Sequence, residues 1–161
     1  MNQHPNCEQE GLEGAKKRAM GYLERRAYSK RELSDKLVEK GVSRDLAEEA
    51  VDWLEEINFL NDEDYARQIV QHYSAKGYGR RRVEQELWRR GIEKPLWESA
   101  LAQAMPEEQE DAIDGFIQRK LRGAMPDSKE EKRVADALAR RGYQWDEIRG
   151  GLARYKDSLE G

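Results

Sequence analysis

RELSDKLVEKGVSRDLAEEAV, from Arg31 to Val51, recurs about fifty residues on as RRVEQELWRRGIEKPLWESAL, Arg81 to Leu101, and again as KRVADALARRGYQWDEIRGGL, Lys132 to Leu152. Aligned without gaps, the segments superpose Leu33, Val83 and Val134, then Leu37, Leu87 and Leu138. Gly41, Gly91 and Gly142 coincide next, each followed by an apolar residue (Val42, Ile92, Tyr143), and the last shared apolar position is Val51, Leu101 and Leu152. A single aligned Leu pair would carry no weight, but this whole register repeats. Apolar residues four apart share one helical face. A Gly four residues after the last of them can take the left-handed conformation that ends a helix. Each copy therefore predicts a helix, a Gly stop and a second helix.

Start signals agree with that reading. Ser29 with Glu32, and Ser128 with Glu131, have the spacing of capping boxes. Ser43 is placed to cap the second helix of the first copy, and Pro95 suits the first turn of its counterpart. A further helix precedes each copy. The first spans about Ala15 to Ala27; the second follows Asn61/Asp62 and carries Tyr65, Ala66, Ile69, Val70 and Tyr73; the third follows Pro106 and carries Ile113, Phe116, Ile117 and Leu121. The predicted fold class is all-α: about nine helices in three tandem three-helix, helix-turn-helix-like repeats, elongated because such units support one another end to end. The expected divisions are a flexible acidic tail over 1–14, then repeats over 15–58, 59–105 and 106–161.

Composition excludes several classes. Charged residues make up 39% and hydrophobic ones 37%, yet four Trp, seven Tyr and regular apolar spacing argue against disorder. Gly and Pro interrupt the pattern too often for one long coiled coil. Cys7 is the sole cysteine, so no internal disulfide is expected, and no apolar run approaches the roughly 20 residues of a membrane span. The N-terminus lacks a signal-peptide core, and a cytoplasmic location is expected. A net charge of -4 argues against an avid stand-alone DNA binder. Enzyme chemistry finds no foothold: the histidines are His4 and His72, and the GYG of Gly77–Gly79 lacks the strand, spacing and Lys-Ser/Thr of a phosphate loop. Acidic pairs such as Glu48/Glu49 and Glu55/Glu56 read as exposed helix charge. No catalytic residue, cofactor or metal is expected.

The central stretch, FLNDEDYARQIVQHYSAKGYGRRRVEQELWRRGI from Phe59 to Ile92, resembles the middle of the RecX family of RecA regulators. The matching elements are the aromatic-Leu-x-Asp start, the Tyr-Ala helix, the Lys-Gly-x-Gly turn and the Val-x-x-Glu-Leu-x-x-Arg-Gly-Ile helix. YLERRAYSKRELSDKLVEKG, Tyr22 to Gly41, is similar to the family's opening repeat, and KRVADALARRGY is the best-matching part of a looser third. Arg80 departs from the pattern, standing where the family commonly has Pro. The resemblance implies tandem three-helix modules that lodge in the helical groove of a RecA–DNA filament; the protein is expected to be a monomer. It further implies reduced strand exchange, ATP hydrolysis and coprotease activity in DNA repair and the SOS response.

Positive charge concentrates in the second repeat, at Lys76, Arg80, Arg81, Arg82, Arg89, Arg90 and Lys94, with a smaller cluster at Arg25, Arg26, Lys30 and Arg31. These are the candidate contacts to an acidic filament surface or to phosphate, which Arg grips bidentately. Arg140 and Arg141 repeat the Arg89/Arg90 positions in the third copy, and Tyr78 and Trp88 are further contact candidates. Trp97 and Trp145 sit near core positions and are expected to pack. The alternative is a helix-turn-helix protein acting on DNA directly, with weak contact to single-stranded or duplex DNA. Against it, the segment DLAEEAVDWLEEI, which would be the reading helix of the first repeat, is strongly acidic and phosphate would repel it.

Overall fold

The computed structural model describes residues 7–105 and 109–161, with side chains from 11 onward. Among them it contains nine helices and no strand: α1 (Cys7–Arg25), α2 (Lys30–Glu39), α3 (Arg44–Glu56), α4 (Asp62–Ala75), α5 (Arg80–Arg89), α6 (Lys94–Ala104), α7 (Glu110–Leu121), α8 (Ser128–Arg140) and α9 (Trp145–Glu160). The all-α, three-helix-repeat expectation holds. Helix α1 starts ahead of the expected Ala15, with a break at Gly11, whose φ of 63° is not helical. Pro106 and the first six residues of the expected tail lie outside the described residues.

The Leu-x3-Gly-apolar signature is the sequence of a helix stop. Gly41, Gly91 and Gly142 have φ of 99°, 79° and 101°, a backbone that an L side chain adopts only with strain. In each case the apolar residue after Gly donates its N–H to the Leu carbonyl: Val42 to Leu37 at 3.0 Å, Ile92 to Leu87 at 3.0 Å, Tyr143 to Leu138 at 3.2 Å. The Gly N–H donates one residue further along, to Val38, Trp88 and Ala139. Two otherwise orphaned carbonyls are thus satisfied at each stop, and the apolar pair closes the end of the core. Asn58, at φ 63°, ends α3 in the same way with no Gly to announce it.

Ser29 caps α2 as expected, accepting from Glu32 N–H at 3.0 Å while the Glu32 carboxylate accepts from Ser29 N–H. Ser43 caps α3, and Asn61 accepts from Asp64 N–H at the start of α4. The expected Ser128/Glu131 box is wrong by one residue. Asp127 is the cap, accepting from Glu130 N–H at 2.8 Å, and Glu130 answers Asp127 N–H. A carboxylate at a helix N-terminus also meets the positive end of the helix dipole, so it displaces the neighbouring hydroxyl.

The described residues divide into two compact units, those up to 68 with 87–100, and 69–86 with those from 101 onward. The first is centred on α1–α3, where Ala15, Ala19, Leu33, Leu37, Ala47, Ala50 and Leu54 are wholly buried. The second is centred on α7–α9, around Ile113, Ile117, Leu138 and Ile148. Burying one such Leu or Ile contributes about 1.5–3 kcal/mol before entropy.

Candidate interaction surface

Each unit contains the same joint between a Gly stop and the start of an earlier helix. In the first unit, Ser29 Oγ donates to the Arg90 carbonyl at 2.5 Å, and Arg31 packs against Gly91, where an added Cβ would stand 2.9 Å from the Arg31 side chain. In the second, Gly79 N–H donates to the Arg141 carbonyl at 2.7 Å and Arg81 N–H to the Gly142 carbonyl at 3.2 Å. Here the two backbones meet directly. A Cβ on Gly79 would lie 2.7 Å from Gly142 C, and one on Gly142 would lie 2.5 Å from Arg82 N. The Gly77–Gly79 turn, which matched no phosphate loop, is therefore half of a packing joint.

These joints sort the candidate residues. Arg90 is half-buried and donates to Tyr65 Oη at 2.8 Å. Burial pushes the Tyr65 phenol up, and the Arg90 bond offsets part of the rise. Arg141 holds the matching position in the second unit, over Phe116 at 4.9 Å and Tyr78 at 5.7 Å, with a bond to the Lys76 carbonyl. Tyr143 Oη donates to the Gly77 carbonyl at 2.7 Å beside them. Arg90 and Arg141 thus tie the last turn of one helix to an aromatic residue on another. Sequence could not separate them from their exposed neighbours Arg89 and Arg140.

The other cations divide between the units. Lys30 lies between Asp52 at 3.2 Å and Glu55 at 3.0 Å. Burial would lower its pKa, but the bonds to both carboxylates prevail and raise it. Its backbone N–H meets the buried Asp62 carboxylate at 2.9 Å. Burial lifts the Asp62 pKa, only partly countered by that bond. Arg26 stacks on Tyr28 at 3.6 Å and approaches Glu32 at 3.7 Å. Arg25, Arg31, Arg89 and Lys94 are exposed in the first unit, as are Lys76, Arg80, Arg81 and Arg140 in the second. Arg80 meets Glu84 at 3.5 Å, and Arg82 meets the buried Glu86 at 3.4 Å, so two of the three consecutive arginines have helical partners four residues on. Among the described residues Arg25, Arg31, Arg81 and Arg140 carry no ion pair.

The aromatics correct one expectation. Trp88 is 67% exposed, whereas Trp97 is half-buried and its indole N–H donates to the Ile92 carbonyl at 2.9 Å. Trp145 does not pack inside: it is 52% exposed. It is the first residue of α9, and its side chain leans back toward the helix N-terminus, beyond the core that begins at Ile148. Tyr78 is half-buried between Arg82 and Arg141. No group of three His, Cys, Asp or Glu among the described residues could hold a metal ion, and no described helix is long and apolar enough to cross a membrane.

The first three-helix domain of RecX matches residues 15–54 and the second matches 61–101. The chain is 35% identical over 133 residues to the regulatory protein RecX of Xanthomonas axonopodis pv. citri (strain 306), covering 82% of each. To that of Stenotrophomonas maltophilia (strain K279a) it is also 35% identical, over 82% of this chain and 81% of the relative. The crystal structure of RecX from Lactobacillus salivarius shares its fold with a TM-score of 0.81 at 18% identity, covering 90% of this chain and 96% of that one. A second RecX crystal structure gives a TM-score of 0.76 at 20% identity, over 89% and 71%. Sequence signature, fold and relatives agree, and the chain belongs to the RecX family of regulatory proteins.

Proposed function

We propose that this protein binds the RecA–DNA filament in its helical groove and restrains RecA, acting as a non-enzymatic, monomeric, cytoplasmic regulator. The observation that carries the reading is the outward, unpaired charge of Arg81 and Arg140 in one unit and Arg25 and Arg31 in the other, on a chain whose family is regulatory. Cations carried on two compact units of one chain suit a repeating acidic partner, because the second contact then forms at high effective concentration. Lys76, Arg80, Arg89 and Lys94 extend the basic surface, and exposed Trp88 supplies an aromatic anchor of the kind enriched in interface hot spots. Tandem contacts of this kind would bridge RecA subunits and obstruct duplex entry.

The test is binding of labelled protein, at physiological salt, to RecA–ssDNA–nucleotide filaments, free RecA and naked ssDNA. Preference for the filament is expected. Reversing Arg81 and Arg89 to Glu should weaken it about tenfold or more while the far-ultraviolet spectrum is unchanged. Equal or tighter binding to naked ssDNA would overturn the reading in favour of a DNA-binding module. The acidic face of α3, with Asp45, Glu48, Glu49, Asp52, Glu55 and Glu56, supports the filament reading over that one.

A further inference from the structure

A groove of about 680 Å³ lies within the first unit, with α2 and α3 as one wall and the turn from α5 into α6 as the other. Its lining combines two features that ordinary solvated helices do not. The first is apolar: of the lining residues Val51 and Ile92 are buried, Leu96 is half-buried, and Trp88 is 67% exposed. An indole left in water keeps a large apolar area and an open π-face, and both gain from a partner. The second is charge. Three cations face six carboxylates in the lining. Two of those cations are committed, Lys30 to Asp52 and Glu55, and Arg44 to Asp35 at 2.9 Å. Glu48 on the helical wall and Glu93 on the turn wall carry no ion pair among the described residues.

The geometry points to a docking site for a basic segment of a protein partner. Its arginine or lysine side chains reach Glu48 and Glu93, and an apolar side chain between them covers Trp88. An anion would be repelled by the surplus of carboxylates, and a metal ion finds no cluster of ligands. The groove shares Arg31 and Trp88 with the surface proposed for the filament but recognises the opposite charge, so Glu48 and Glu93, which that surface does not use, test it apart from that reading.

The experiment uses the full chain, labelled with nitrogen-15 and titrated with the peptide acetyl-Arg-Leu-Ala-Arg-Leu-Ala-Arg-amide and with its counterpart carrying Glu for Arg. Amide shifts gathered at Glu48, Ile92 and Glu93, with a shift of the Trp88 indole, are expected from the Arg peptide alone. Glu48→Lys/Glu93→Lys should weaken that binding about tenfold, since two exposed ion pairs are replaced by two repulsions. Shifts scattered over every acidic helix face, equal binding of the Glu peptide, or unchanged affinity of the double variant would overturn the site. Should the double variant not fold, the shift map of the unaltered protein decides.

Discussion

Gly142→Ala and Gly41→Ala differ in only one physical respect, and that difference measures the joint. Both glycines end a helix, at φ of 101° and 99°, so each Ala bears the same left-handed backbone cost of about 1–2 kcal/mol. Gly41 has nothing within 4 Å of the added methyl. Gly142 has Arg82 N at 2.5 Å, Arg82 Cβ at 2.7 Å and Gly79 O at 3.0 Å. None of these is the free end of a flexible side chain, so the backbones must part. Parting them strains the Gly79–Arg141 and Arg81–Gly142 hydrogen bonds, of 2.7 and 3.2 Å. Overpacking of this kind costs about 1–3 kcal/mol, and weakening the two bonds adds about 1 kcal/mol together. Gly142→Ala should therefore be less stable than Gly41→Ala by about 2–4 kcal/mol in urea unfolding followed by circular dichroism. For a chain of this size that is a gap of roughly 5–15 °C in Tm. Equal losses in the two variants would refute the close backbone contact.

Ser29→Ala removes both the α2 cap and the bond to the Arg90 carbonyl, and should cost about 1–2 kcal/mol; Ser43→Ala, which loses only its cap, should cost less in the same assay. Asp62 titrates above its ordinary 3.8 because burial disfavours the carboxylate, so the stability it lends is complete below 3.8 and lost as pH rises through its folded pKa. Asp62→Asn keeps an acceptor for Lys30 N–H and should be the more stable protein near neutral pH; its advantage should shrink as urea midpoints are taken toward pH 3.8, and a constant difference would reject the burial account. Arg154 grips Asp114 through Nε at 3.2 Å and Nη2 at 2.8 Å, but both side chains are part-exposed. Asp114→Asn should cost under about 1 kcal/mol and less still in high salt, as calorimetry at two ionic strengths would show.

The sequence by itself determined that the chain is helical and where the three repeated glycine stops fall. Leu37–Val42, Leu87–Ile92 and Leu138–Tyr143 could be read off the chain because a helix end is local: its hydrogen bonds span five residues, and Gly is the residue that tolerates the required φ. Capping was legible to within one residue, and the miss at Asp127 came from two adjacent oxygen-bearing side chains competing for one role. The basic run was visible too. Its partition was not, because Arg89 and Arg90 are identical in charge and adjacent in sequence, and only the position of Tyr65 decides that Arg90 is drawn inward. The same holds for Arg141 over Phe116, for Trp145 beyond the end of its core, and for Gly79 against Gly142. Those outcomes depend on residues 25 to 63 positions away in the chain, or on where a core ends, and side-chain type and spacing carry no record of either.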